Sequence, residues 1–243
     1  MQRFKTYIAI DDTDEIGYAT STGEICEEIK EHIELFYAKT APITRHQLFL
    51  HNDIPYTSHN SSMCFTTYLS EKELEDIKMF IIDYVMIKSA PSSAPGICIG
   101  FEKDICDKNA LIHYGLDAKK KVLTKEKAYN TAKEQNLFLM ELKNRGDGII
   151  GALAGVALRM YGSDGRIKGK ITLKKQTLST KEILALGIFD EIRLANKEIA
   201  DKNYMVIVKE YLKGIYLEHK FILLVEEYGG YYKPLLKEDL LTY

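Results

Sequence analysis

At 243 residues, with 46% hydrophobic and 28% charged side chains, the chain suffices for one large domain or two smaller ones and is too apolar for wholesale disorder. A net charge of -2 excludes a surface that grips nucleic acid everywhere and leaves room only for a local basic face. The four cysteines, Cys26, Cys64, Cys98 and Cys106, form no CxxC pair, which excludes zinc-ribbon and thioredoxin-type centres, and no apolar run nears the ~20 residues of a membrane span.

Residues 4–10, apolar and β-rich, predict a buried strand that runs into Asp11-Asp12-Thr13-Asp14 and then Gly17, Thr20, Ser21, Thr22 and Gly23. A helix is predicted over 22–35, with Ile25, Ile29, Ile33 and Phe36 on one face. The polar loop 52–62 precedes a second strand over 62–69, and an amphipathic helix over 71–87 carries Leu74, Ile77, Phe80, Ile81 and Tyr84. Strand and helix alternate as in an α/β unit. Residues 89–95, rich in Ser, Ala and Pro, deliver the chain into a third strand over 96–101. The lysine-rich helix over 124–135 has few large apolar residues and reads as a solvated face. At 144–151 a glycine-rich turn feeds an Ala-rich helix whose small side chains allow a close neighbour. The texture changes after Tyr161, so two domains are expected, 1–161 and 162–243. The second offers a basic strand-like stretch over 166–174, a short helix over 180–186 and strands over 204–208 and 221–226, an α+β pattern.

Asp11, Asp12 and Asp14 would repel one another at the end of a strand unless a cation lay among them, and Mg²⁺ prefers such oxygen ligands. The hydroxyls and glycines that follow suit phosphate. The same residues also fit an acidic turn with helix-capping Thr and Ser. Three enzyme sites begin in this way. In a haloacid-dehalogenase phosphatase, Asp12-Thr13-Asp14 would be the Asp-x-Asp pair. An actin-like sugar kinase would need a longer chain and a second phosphate loop. In a third kind of kinase, carboxylates hold Mg²⁺ on a nucleotide while hydroxyls and amides receive the phosphates. The turn at 144–151 contains neither GK[ST] nor GxGxxG. It reads either as close packing or as helix N-terminal amides meeting an anion, with Arg145 beside them to neutralise phosphate. In the polar loop His59 is a candidate base or an ordinary hydrogen-bonding residue, whereas His46 and His51 are spaced too loosely for a metal and receive no role.

Taken in order, Ile10-Asp11-Asp12-Thr13-Asp14, Gly17 with Thr20-Ser21, Asn52, Ile54-Pro55, Thr57 and Asn60, Pro95-Gly96, and Gly148 through Ala154 resemble the tRNA-isoleucine 2-agmatinylcytidine synthetase (TiaS) family. The resemblance sets roughly the whole chain against the N-terminal half of that family. It implies a kinase-like α/β domain over 1–161 and a smaller ferredoxin-like α+β domain over 162–243. The family uses ATP to phosphorylate the C2 oxygen of a tRNA wobble cytidine, and agmatine then displaces the phosphate, so ATP and Mg²⁺ are the implied cofactors. On the family pattern Asp11, Asp12 and Asp14 hold Mg²⁺ and triphosphate, and Asp12, Asp14 and Thr20 form the catalytic set. Thr20 matches a threonine that the family's enzymes phosphorylate on themselves. Thr13, Ser21, Gly148 and Gly151 fall on the nucleotide side, and Asn52, Thr57 and Asn60 on the substrate side.

This chain departs from the pattern in two places. Ser58-His59 stands where the family has Arg-Gly, which removes a cation, and the step from Asp14 to Gly17 is one residue shorter. The family's OB-fold and zinc ribbon find no counterpart. The expected function is therefore ATP- and Mg²⁺-dependent phosphoryl transfer in the cytoplasm, to a small-molecule or tRNA acceptor. A non-catalytic nucleotide-binding module of the same fold and a haloacid-dehalogenase-type phosphatase are the alternatives.

Overall fold

The computed structural model describes residues 2–54, 60–196, 198–201 and 203–241. The fold is mixed α/β and divides into two compact units, Met1–Tyr161 and Gly162–Tyr243. No helix among the described residues is long and apolar enough to cross a membrane.

The first unit runs β1 (Phe4–Asp11), α1 (Thr22–Phe36), β2 (Thr44–Gln47), β3 (Ser61–Leu69), α2 (Glu71–Lys88), β4 (Gly96–Phe101), α3 (Lys108–Ala118), α4 (Lys125–Glu134), β5 (Phe138–Glu141) and α5 (Gly148–Tyr161). Its sheet has the order β5-β4-β1-β3-β2. Every neighbouring pair is antiparallel, with Ile10 opposite both Met63 and Ile97. The strand–helix alternation does not produce the parallel sheet that α/β units usually carry. Instead β2 and β3 are joined as antiparallel neighbours, and β1 sits between β3 and β4. This split βαββαβ connectivity is that of ferredoxin-like folds. Residues 4–101 thus carry a ferredoxin-like connectivity inside the first unit.

Both faces of β1 are buried from Thr6 onward, which is why residues 7–10 are continuously apolar. Side chains alternate across a strand, so Ile8 and Ile10 join Ile25, Ile29 and Ile33 of α1 and Ile77, Ile81 and Val85 of α2 in one core. Each such burial stabilises the fold by about 1.5–3 kcal/mol. Tyr7 and Ala9 face the other way, into a second core with Cys64, Cys98, α3 and α5. Gly151 and Gly155 lie one turn apart on α5 and let it approach this face. A Cβ on Gly155 would meet the hydroxyl of Ser62 and sit 3.4 Å from Ala9 Cβ. Capping boxes start α1 and α2: Ser21 and Glu24 exchange side chain-to-backbone bonds, as do Ser70 and Glu73. All four cysteines are free thiols.

The second unit contains β6 (Arg166–Ile167), β7 (Thr177–Ser179), α6 (Thr180–Leu184), β8 (Glu191–Leu194), β9 (Met205–Ile207), β10 (Gly214–Leu217), β11 (Lys220–Tyr228) and β12 (Tyr231–Pro234). Its strands follow the order β6-β10-β11-β12-β9-β7, with β8 parallel to β11. Ile215, Ile222, Leu224 and Leu240 form its small core. The basic stretch predicted as one strand is interrupted: β6 stops at Ile167, Gly169 takes φ 87°, and only Ile171 bridges back, to Leu212.

Candidate functional site

β1 ends at Asp11, opposite Gly96, the first residue of β4. The strand pairing therefore gathers the loop after β1, the loop before β3, residues 89–95 and the turn before α5 at one end of the sheet. Asp11 is only 8% exposed, and its carboxylate accepts the Asp12 amide at 2.9 Å. Burial, and then the charges of Asp12 and Asp14, push its pKa well above the usual carboxylate range. Asp12 adopts φ 55°, a left-handed conformation that Asp tolerates better than most residues. Burial first, then Asp14 and Asp147, raise its pKa to about 6, against the lowering effect of a hydrogen bond donated by the Ala94 amide. The residues after it are tied to α1. The Thr22 amide donates to Asp14 Oδ2 at 3.3 Å, and the Thr13 hydroxyl meets the Thr22 hydroxyl at 3.0 Å.

Helix α5 packs its first turn against this strand end. A Cβ on Gly148 would lie 2.7 Å from the Gly96 nitrogen and 2.8 Å from the Asp11 carbonyl oxygen, and a Cβ on Gly151 would collide with the Asp11 carboxylate. The structure thus brings Gly148 and Gly151 against Asp11. Their close approach is the reason for glycine at both positions. The α5 amides are already used: Gly148 donates to Ala94, Ile149 to Gly146 and Ile150 to Asp147. An anion meeting the Gly148 amide would have to displace its 2.9 Å bond to Ala94.

The remaining expected residues are spread around this centre. Ser21 is the N-cap of α1, and its hydroxyl is engaged with Glu24 at 2.8 Å. Thr20 is half-buried just before it. Asn60 closes the base of the loop before β3, donating to the Phe49 carbonyl at 2.7 Å, while Asn52 is exposed in the same loop. Thr57, with Ser58 and His59, lies outside the described residues. Arg145 is on the surface, and its Nε pairs with Asp147 at 3.0 Å. Asp147 is the acidic residue missed in the sequence, where it stood inside a motif read for its glycines.

No three His, Cys, Asp or Glu side chains among the described residues converge into a ready-made metal cage, so Asp11, Asp12 and Asp14 do not form one by themselves. Their donor set nonetheless fits Mg²⁺ in the form it takes on nucleotides, with one or two carboxylates supplemented by phosphate oxygens and water.

No family model matches the chain, and no curated protein matches it. Solved structures do. The complex of TiaS with its isoleucine tRNA and ATP superposes with a TM-score of 0.55 at 16% identity, covering 82% of this chain and 50% of that one. The fold is TiaS-like. The complex of TiaS with the same tRNA, AMPCPP and agmatine gives 0.53 with the same identity and coverage. A tRNA fluorescent labeling enzyme gives 0.52 at 23% identity, over 63% of this chain and 36% of its own. The chain thus spans half or less of the length of these structures.

Proposed function

We propose that this protein binds ATP with Mg²⁺ at the end of β1 and transfers a phosphoryl group to a small-molecule or tRNA acceptor in the cytoplasm. The observation that carries this reading is the crowding of Asp11, Asp12 and Asp14 at one strand end, where burial and mutual repulsion raise the first two well above ordinary carboxylates. Such a cluster favours a cation. Asp12 and Asp14 are the residues to hold Mg²⁺, with Asp11 behind them. Bound there, Mg²⁺ supplies charge neutralisation on the phosphates, which phosphoryl transfer needs more than covalent help. Asp11 accepts the Asp12 amide and so fixes the left-handed turn that presents Asp12. Thr13 and Thr22 tie the loop to α1. The TiaS-like fold supports the reading, because one solved TiaS complex contains ATP and tRNA, and another contains tRNA and agmatine together with an ATP analogue.

Calorimetric titration of ATP in the presence of Mg²⁺ tests it. Wild-type protein is expected to bind, and Asp12→Ala to bind at least about tenfold more weakly, as loss of a charge-assisted contact requires. Equal affinities would remove Asp12 from the site. ATP consumption measured with tRNA, agmatine and related amines then identifies the acceptor, and binding without turnover would assign a nucleotide-binding module.

A further inference from the structure

Residues 89–95 lie between the acidic loop and the turn before α5, and they are bonded to both. Toward the acidic loop, the Ala90 amide donates to the Thr13 carbonyl at 2.9 Å and the Ser92 amide to the Glu15 carboxylate at 3.2 Å. Toward the α5 turn, the carbonyls accept. Ser89 takes Lys143 Nζ at 2.9 Å, Ala94 takes the Gly148 amide at 2.9 Å, and Pro95 takes the Leu142 amide at 3.1 Å. Two more, those of Pro91 and Ser93, are held by a single side chain: Asn144 Nδ2 donates to them at 2.9 and 2.6 Å. Asn144 does so from a left-handed backbone, φ 49°, which only Gly, Asn and Asp adopt readily.

We propose that Asn144 is a positioning residue of the metal-nucleotide site: its amide clamps Pro91 and Ser93 so that residues 89–95 hold the acidic loop at Thr13 and Glu15 and hold α5 through the Ala94 C=O. The inference rests on the nucleotide reading above. Asn144 itself need not touch the ligand. Without the clamp, the Pro91–Ser93 stretch is released on the α5 side, and the Ala90 and Ser92 amides lose the fixed direction in which they meet Thr13 and Glu15 around Asp12 and Asp14. The defect should therefore show most strongly where Asp12 acts, in the dependence of ATP affinity on Mg²⁺.

Asn144→Gly keeps the left-handed turn and removes the clamp. ATP affinity is measured with and without Mg²⁺ for wild type and variant, together with thermal midpoints and amide hydrogen exchange of the nucleotide-free proteins. The expected result is an affinity for Mg²⁺-ATP about tenfold weaker, as the loss of one or two hydrogen bonds implies. The gain that Mg²⁺ confers should also shrink, and exchange over 89–95 and 142–148 should quicken without global unfolding. Wild-type binding with an unchanged affinity and Mg²⁺ gain in the variant overturns this inference alone. Wild-type protein that binds no nucleotide overturns the nucleotide reading itself. If Asn144→Gly does not fold, Asn144→Asp, which tolerates the same φ and lacks the donor, takes its place. Loss of the fold in both would make Asn144 purely structural and overturn the proposal.

Discussion

Replacing Gly148 by alanine is expected to lower the melting temperature of the first unit by about 10 °C. The added Cβ has no soft neighbour to displace. It would meet the Gly96 nitrogen at 2.7 Å and the carbonyl oxygens of Ala94 and Asp11 at 2.8 Å, all of them backbone atoms. Gly96 is the reciprocal partner, since its own Cβ would run into the Gly148–Ile149 peptide. Relief requires α5 to withdraw from β1 and β4, which exposes part of the core formed by Ile149, Ala152 and Leu153 with Ala9 and Cys98. A cost of about 3 kcal/mol follows from such overpacking, and a domain of this size loses roughly 2–4 °C per kcal/mol. Differential scanning calorimetry of wild type, Gly148→Ala and Gly96→Ala measures it. Gly151→Ala serves as the contrast. There the nearest atoms belong to the Asp11 side chain, which can rotate, so the melting temperature should change less while the Asp11 carboxylate is displaced. Equal melting temperatures for wild type and Gly148→Ala would refute this account of the helix contact.

The local grammar of the sequence was enough to place β1, α1, α2 and β4 within a residue or two, because apolar periodicity and capping residues are local signals. The acidic strand end and its glycine-rich companion were legible for the same reason. Pairing was not. Whether β1 lies beside parallel or antiparallel neighbours depends on partners some 55 and 90 residues away, as with Ala9 opposite Cys64 and Cys98, and no short pattern encodes that. β2 was missed because Thr44–Gln47 carries no apolar side chain at all. The predicted phosphate-facing role of the α5 amides met carbonyls already in place, a fact that only the packing of residues 94, 146 and 147 against the turn reveals. Asn144 and Asp147 escaped for a related reason. Each matters through a group distant in sequence, Asn144 through Pro91 and Ser93, Asp147 through Asp12.

The acidic cluster also fixes a dependence on pH opposite to that of most carboxylates. In the folded chain Asp12 titrates at about 6, above its unfolded value of roughly 3.9, and Asp11 is shifted in the same direction. Between those pH values the folded state binds more protons than the unfolded state, so stability falls as pH rises through this window and stays lower above it. Glu73 and Glu102 behave in the usual way. Arg3 and the Ser70 cap hold the first at about 2, Lys108 and Lys5 hold the second at about 2, and both contribute stability that is lost as pH falls below roughly 4.5. The two effects occupy different windows, so the contribution of Asp12 can be isolated. Asp12→Asn, which keeps the shape and removes the charge, is expected to raise the melting temperature at about pH 8 by about 4 °C and to leave it nearly unchanged at about pH 4. That corresponds to about 1–2 kcal/mol once the screening allowed by partial exposure is included. Mg²⁺ should reverse the ranking at the higher pH. It stabilises the wild type, whose repelling carboxylates it neutralises, and has little to bind in the variant. Thermal melts of both proteins at the two pH values, with and without millimolar Mg²⁺, decide the matter: a variant no more stable than wild type at the higher pH, or equally stabilised by Mg²⁺, would mean that Asp12 is neither strained by its neighbours nor the place where the cation sits.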